Sequence, residues 1–203
     1  MDMGVTLSTR RPRRTGALLL VAVLAAVMWA VEIADLVLGD LDAAGIRPRD
    51  PDGLPGIALA PFLHAGFGHL LANTLPFLVL GATVALGGLA RVAGVFAIVA
   101  LVGGLGTWLT APGGTVHIGA SGIVLGSVAY LIARGVYSRR AWDLGVGLVV
   151  LGVYGATLVL SLVPTPGVSW QGHLFGAVGG VVAARWLHRR PGRRGRVAWP
   201  DRA

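Results

Sequence analysis

Six long apolar segments constrain this chain more than any other feature of its sequence. They cover approximately residues 16–39, 69–89, 92–109, 121–135, 144–163 and 171–187. A helix needs about 20 apolar residues to cross a bilayer, and the segments approach or reach that length. Hydrophobic residues make up 55% of the 203 residues, whereas only 13% are charged. Because a water-soluble domain seldom has this composition, the sequence predicts an all-α membrane protein with six transmembrane helices.

The distribution of positive charge predicts how the helices are oriented. All 17 basic residues are arginines, and the formal net charge is +8. Most of them lie before the first segment, on alternate short turns, or in the tail: Arg10, Arg11, Arg13, Arg14, Arg91, Arg134, Arg139, Arg140, and Arg185 onward. With the N-terminus inside the cell, only Arg47 and Arg49 lie outside, so the positive-inside rule predicts that both termini are cytoplasmic. Such scattered runs do not form a nucleic-acid-binding face, and no nucleic-acid partner is predicted.

The chain divides into one membrane domain with basic ends. We predict a cytoplasmic basic arm over residues 1–15, a six-helix domain over residues 16–188 and a cytoplasmic basic tail over residues 189–203. Residues 40–68, between the first two segments, are rich in Pro, Gly and Asp, which favours a loop or a partly re-entrant stretch.

Segments two, four and six enter from the outer side in this orientation, and each has polar residues near its start. His69 and Asn73 in HLLAN are four residues apart, so they share one helical face. Segment four begins at Ser121, and segment six has His173 in WQGH. The thirteen residues from Ser121 up to Arg134 span about 20 Å of helix, against a hydrocarbon core of about 30 Å. We therefore expect these groups to share a water-accessible pocket below the outer membrane surface.

Small residues predict that segments four and six touch. Each has two glycines four residues apart, a spacing that lets helix backbones approach closely in membranes. The glycines assigned to packing around the site are Gly119, Gly122, Gly126, Gly172 and Gly176.

Contact between these segments would bring a nucleophile to a base. A serine hydroxyl needs a base within hydrogen-bond reach, and His173 is the candidate for Ser121. None of the nine acidic residues lies at the right depth within segments two to six, so a Ser–His dyad is predicted. The side-chain amide of Asn73, a ring N–H of His69 and the first backbone N–H groups of segment four are candidate oxyanion donors. The chain contains no cysteine, which excludes a thiol nucleophile and thiolate metal sites.

Three motifs together resemble those of the rhomboid intramembrane serine proteases: HLLAN, GASG and GHLFGAVGG, each at the start of an alternate segment. The resemblance covers about residues 61–187. It implies that Ser121 is the nucleophile, His173 the base, and Asn73 and His69 the oxyanion-stabilising residues. It also implies a substrate that is a transmembrane helix of another protein. We further expect a multi-pass location in the cell membrane and no cofactor. Many members have an aromatic residue one turn after the serine, where this chain has Leu125. The sequence therefore leaves open what holds His173.

Two alternatives remain at this point. One is a non-catalytic rhomboid-like protein that binds membrane helices, although such a protein would be expected to lose Ser121 or His173. The other is a metal transporter or metal-dependent hydrolase that uses His64, His69, His117 and His173. The spacing of these histidines is unusual for zinc, and H-E-x-x-H is absent, so no metal is predicted. For His64 and His117, both contact with substrate or water and an ordinary loop role remain open.

Overall fold

The computed structural model describes residues 11–187, and side chains from residue 14 onward. Within this range the protein is all-helical, with no strand and a single isolated β-bridge. The seven helices are α1 (Arg11–Leu38), α2 (Gly56–Leu59), α3 (Phe67–Ala85), α4 (Leu89–Thr110), α5 (Ser121–Ser138), α6 (Ala141–Leu160) and α7 (Trp170–Leu187). The predicted tail and the first ten residues of the predicted basic arm lie outside the described residues.

Six of these helices correspond to the six predicted segments. Five of them, α1 and α3 to α6, are long and apolar enough to cross a membrane. The sixth, α7, is not among these candidates, because Gln171, His173, Arg185 and several glycines lower its hydropathy. It packs most extensively against α5 and α4. The expectation of an all-α helical membrane bundle is confirmed.

Helix α5 is the centre of the bundle. It contacts α3, α4, α6 and α7, and most of its side chains from Ile123 to Leu131 are buried. Helix α6 packs mainly on α5 and is the least buried of the candidate spans. The two are tied at one end by an ion pair between Arg134 Nη2 and Asp143 Oδ1, 2.8 Å apart. Asp143 lies in the first turn of α6, where the helix dipole also favours a carboxylate.

Glycines bring the backbones of α5 and α7 into direct contact. A Cβ added to Gly122 would lie 3.2 Å from the carbonyl oxygen of Gly172, and one on Gly126 would lie 2.7 Å from that of Gly176. In the other direction, a Cβ on Gly176 would collide with the carbonyl oxygen of Gly122. No side chain fits between the two helices at these points. The contact therefore fixes how α5 and α7 are aligned along their axes.

The loop between α1 and α3 forms an ordered layer over one end of the bundle. It contains α2 and three 3₁₀ turns, at Leu41–Ala44, Pro51–Gly53 and Ala60–Phe62. Its bridge to the loop before α5 pairs Ile46 with His117, whose backbone N–H groups donate to each other's carbonyl oxygens at 3.0 and 2.9 Å. Arg49 Nη1 donates to the carbonyl oxygen of Ala111 at 2.7 Å, near the end of α4. The loop is thereby attached to the segment that leads into α5.

Candidate active site

Ser121 and His173 lie within hydrogen-bond distance. Ser121 is the first residue of α5, and His173 is in the first turn of α7. The Ser121 Oγ and the His173 Nε2 are 2.9 Å apart, and the His173 side chain is buried. The close backbone contact of the two helices allows this approach, because each helix contributes its group from the same end.

The second ring nitrogen of His173 determines its tautomer. His173 Nδ1 is 2.9 Å from the backbone carbonyl oxygen of Ser161. A carbonyl oxygen only accepts hydrogen bonds, so Nδ1 carries the ring proton and neutral His173 has an unprotonated Nε2. Nε2 is thus able to accept a hydrogen bond from the Ser121 hydroxyl. The backbone of Ser161 also restrains the ring, which answers the question raised by Leu125.

His69 and Asn73 lie one turn apart on α3. The Asn73 Nδ2 donates one hydrogen bond to the carbonyl oxygen of His69 at 2.9 Å, and the second N–H of the amide is a further donor. The backbone N–H of Ala65 donates to His69 Nδ1 at 3.3 Å. His69 therefore carries its proton on Nε2 when it is neutral. Both residues have a donor left for a ligand.

Gly119, in the loop before Ser121, packs against His69 of α3. Its φ of 110° lies in a region that L-residues with a side chain rarely adopt. A Cβ at this position would lie 2.7 Å from His69 Cε1 and 2.8 Å from His69 Nε2. The ring of His69 is thus packed against the backbone two residues before Ser121. The first glycine of the GASG motif is needed for this approach.

We expect Gly119→Ala to destabilise the protein more than Gly114→Ala. Both glycines have a positive φ, which costs about 1–3 kcal/mol for another residue. A Cβ at Gly114, however, would have no atom within 4 Å beyond Gly114 and its two chain neighbours. Only the Gly119 variant must also displace His69. Thermal unfolding of the two variants in detergent checks this expectation. Equal losses of stability would show that His69 does not press on Gly119.

Backbone donors are available at the start of α5. The first hydrogen bond within the helix runs from the Val124 N–H to the Ala120 carbonyl oxygen, at 3.0 Å. The N–H groups of Ser121, Gly122 and Ile123 precede it and have no partner within the helix. The positive end of the helix dipole lies at the same place. An anion that forms next to Ser121 Oγ would therefore be stabilised by the backbone as well as by side chains.

A cavity of about 50 Å³ adjoins Ser121. Its lining includes the hydroxyl-bearing residues Thr107 and Ser169, together with His117 and Gly122. A water molecule needs at least about 10–15 Å³ of such space together with polar partners, so the cavity has room for a few.

His64 and His117 form hydrogen bonds near the segment that leads into Ser121. His64 is almost fully buried, and its Nε2 accepts a hydrogen bond from the Ala120 N–H at 3.4 Å. Burial, with a smaller contribution from the nearby ring of His69, lowers the pKa of His64 to about 4, so it is neutral near pH 7. The two ring nitrogens of His117 form hydrogen bonds with the hydroxyl groups of Ser169 and Thr115. Burial lowers the pKa of His117 as well.

These contacts bear on the metal alternative. Both ring nitrogens of His117 and both of His173 are engaged by serine, threonine or backbone oxygens. Between residues 11 and 187, no three His, Asp or Glu side chains form a group that could hold a metal ion.

Sequence reasoning missed three contributors to the site. The carbonyl of Ser161 has no sequence signal, because every residue has a carbonyl and only the fold brings one to His173. Ser169 had a weak signal, since serine is a favoured residue just before a helix. Thr115, in the loop before Ser121, had none.

Comparison with known proteins gives the family. A rhomboid domain model matches residues 53–190. A protein of Mycobacterium tuberculosis (strain ATCC 25618 / H37Rv), named only as uncharacterized, is 47% identical over 202 residues, which cover 95% of this chain and 83% of the relative. A protein of Mycobacterium leprae (strain TN) with a similar name is 47% identical over 172 residues, covering 80% of this chain and 68% of the relative.

A more distant relative has a more informative name. A protein of Bacillus subtilis (strain 168), provisionally named a rhomboid protease, is 30% identical over 119 residues, which cover 58% of this chain and 59% of the relative. The domain match spans more than half of the chain and includes α3 to α7. Together with five helices apolar enough to cross a bilayer, it makes this a multi-pass membrane protein. The resemblance seen in the sequence is confirmed, and the chain belongs to the rhomboid family.

Proposed function

We propose that this protein is a serine endopeptidase that cleaves peptide bonds in or near transmembrane segments of other membrane proteins. The observation that carries the proposal is the 2.9 Å distance between Ser121 Oγ and His173 Nε2, in a chain of the rhomboid family. The tautomer that Ser161 imposes supports it further, because a general base needs an unprotonated nitrogen facing the nucleophile.

The proposed reaction has two halves. His173 Nε2 takes the proton of Ser121 as Oγ forms a bond to the scissile carbonyl carbon, and the carbonyl oxygen becomes an oxyanion. The imidazolium then gives this proton to the leaving amine as the C–N bond breaks, which leaves an ester on Ser121. Water, deprotonated by the same nitrogen, hydrolyses the ester and restores the serine. The proposed pair works as a dyad, with the carbonyl oxygen of Ser161 orienting the ring.

Stabilisation of the oxyanion is assigned to groups on two helices. The free N–H of Asn73, the Nε2–H of His69 and the backbone N–H of Ser121 are the proposed donors. Loss of one such donor lowers the rate by about a hundredfold or more in acyl-transfer enzymes. Their convergence is supported by the packing of His69 against Gly119.

The membrane bundle supports a proposal for the substrate class and for the location of the protein. The substrate is a transmembrane helix that reaches Ser121 near one membrane surface. The arginine distribution supports a cell-membrane location with both termini cytoplasmic and the site toward the outer face. In this proposal residues 16–188 form the catalytic membrane domain, and the basic ends anchor it on the inner side of the membrane.

Labelling with a fluorophosphonate tests the proposal. Such a probe reacts with serines activated as nucleophiles, and we expect an adduct on the peptide containing Ser121 in the purified protein. Ser121→Ala is expected to remove the adduct. The matched control is Ser127→Ala: Ser127 is buried on the same helix, but its hydroxyl donates to the carbonyl oxygen of Ile123 at 2.8 Å.

Two outcomes would contradict the proposal. A folded protein that stays unlabelled would favour the non-catalytic, helix-binding alternative. Cleavage that chelators abolish would favour a metal-dependent reaction.

A further inference from the structure

We infer that His117 is a positioning residue, which holds Ser169 at the start of α7 and thereby keeps His173 at its distance from Ser121. The inference rests on the proposed function, because the pair it aligns is the proposed nucleophile and base. It concerns a contact between two loops that neither the sequence motifs nor the family match assigns.

Ser169 holds the first turn of α7 in two ways. Its Oγ accepts a hydrogen bond from the Gly172 N–H at 3.3 Å, as a residue that caps a helix does. Its carbonyl oxygen accepts the N–H of His173 at 3.1 Å. A shift of Ser169 would therefore move the backbone that carries the His173 ring.

His117 connects Ser169 to the loop before Ser121. His117 Nδ1 is 2.7 Å from Ser169 Oγ, across a gap of 52 residues in the sequence. The main chain of His117 is fixed by its bridge to Ile46, and Ser121 lies four residues further on. The imidazole thus spans the gap between the chain entering α5 and the chain entering α7.

The hydrogen bonds around His117 specify where each proton lies. The Thr115 hydroxyl donates its only proton to the carbonyl oxygen of Pro112, at 2.6 Å. Thr115 Oγ1 must then accept from His117 Nε2, at 2.9 Å, so the ring proton is on Nε2. Nδ1 is left as an acceptor for the Ser169 hydroxyl. For a neutral His117, only this tautomer satisfies both contacts of the ring.

The first test measures this tautomer in the unmodified protein. In the ¹⁵N spectrum of histidine-labelled protein in detergent near pH 7, we expect His117 to carry its proton on Nε2 and to have an unprotonated Nδ1. His117→Gln identifies the resonance by its loss. A His117 that carries its proton on Nδ1, or that is doubly protonated, would overturn the inference without any variant having to be active.

The second test measures the alignment of Ser121 and His173. We expect His117→Ala to lower both kcat for a transmembrane substrate and the rate of fluorophosphonate labelling, by about ten- to a hundredfold, with little change in KM. His117→Asn should restore most of the rate, because its side-chain oxygen can accept from Ser169. When Ser169→Ala is already present, adding His117→Ala should lower kcat and the labelling rate only slightly further. Thr165→Val is the matched control, since that hydroxyl lies in the same loop as Ser169 and bonds only to the carbonyl oxygen of Val163.

A purely structural role predicts a different pattern. Losses of rate would then follow losses of thermal stability, His117→Asn would not rescue, and the effects of His117→Ala and Ser169→Ala would multiply. Any of these results overturns the inference. Its failure is distinguishable from failure of the proposed function: an unmodified protein that labels on Ser121 while His117→Ala labels equally fast rejects only the role of His117.

Discussion

Ser121→Ala, His173→Ala and the double variant are expected to lose the same factor in cleavage of a transmembrane substrate, on the order of 10⁴-fold or more. The reason is that the two groups act as one unit: without the base the hydroxyl stays protonated, and without the hydroxyl the base has nothing to activate. The quantity to measure is the initial rate of cleavage of a single-span substrate that is reconstituted with the protein in liposomes.

Ser127→Ala is the control for this series, because it removes a buried hydroxyl from the same helix but leaves the pair intact. It should retain most of the activity. If the activity losses of the two single variants multiplied in the double variant, Ser121 and His173 would be acting independently. The assignment of a Ser–His dyad would then be wrong.

The second large effect concerns the contact of α5 with α7. We expect Gly180→Ala to destabilise the protein by about 1–3 kcal/mol or more, because a new Cβ would overlap the carbonyl oxygen of Gly126. It would also lie 2.9 Å from the backbone nitrogen of Tyr130. Neither neighbour is a flexible side chain, so only separation of the helices relieves the overlap. Thermal unfolding and retention of folded protein in detergent measure the loss.

Gly152→Ala provides a matched control. Gly152 lies within α6, and a Cβ there would have no atom within 4 Å apart from its chain neighbours and the adjoining backbone of α6. Alanine is favoured over glycine in a helix by about 0.5–1 kcal/mol, so this variant should be neutral or slightly more stable. Equal losses of stability for the two substitutions would mean that the close backbone contact at the glycines does not determine how α5 packs against α7.

Helix positions were largely predictable from the sequence, with errors that have a physical cause. The fourth segment was expected to begin at Ser121, as α5 does, and the sixth to begin one residue after the actual start of α7. The fifth was placed at residues 144–163, whereas α6 is Ala141–Leu160. Hydropathy marks where a chain is apolar, but a helix begins where its first turn is stabilised, here by Asp143 and its pairing with Arg134.

The loop between α1 and α3 was the least predictable part. Its Pro, Gly and Asp content predicted irregular backbone, but not that Ile46 would pair with His117 or that Arg49 would reach the carbonyl oxygen of Ala111. Such contacts join positions about 60 to 70 residues apart. No local pattern of side chains encodes them.

By itself the sequence determined the number and approximate limits of the apolar helices, and it brought a serine, two histidines and an asparagine to the starts of three of them. Those features depend on side-chain type and spacing, which a sequence displays directly. Only the tertiary structure decided that the carbonyl of Ser161 holds His173 and that His117 joins Ser169. A backbone carbonyl is the same in every residue, and a loop histidine has many possible partners, so packing alone selects the one that each contact uses.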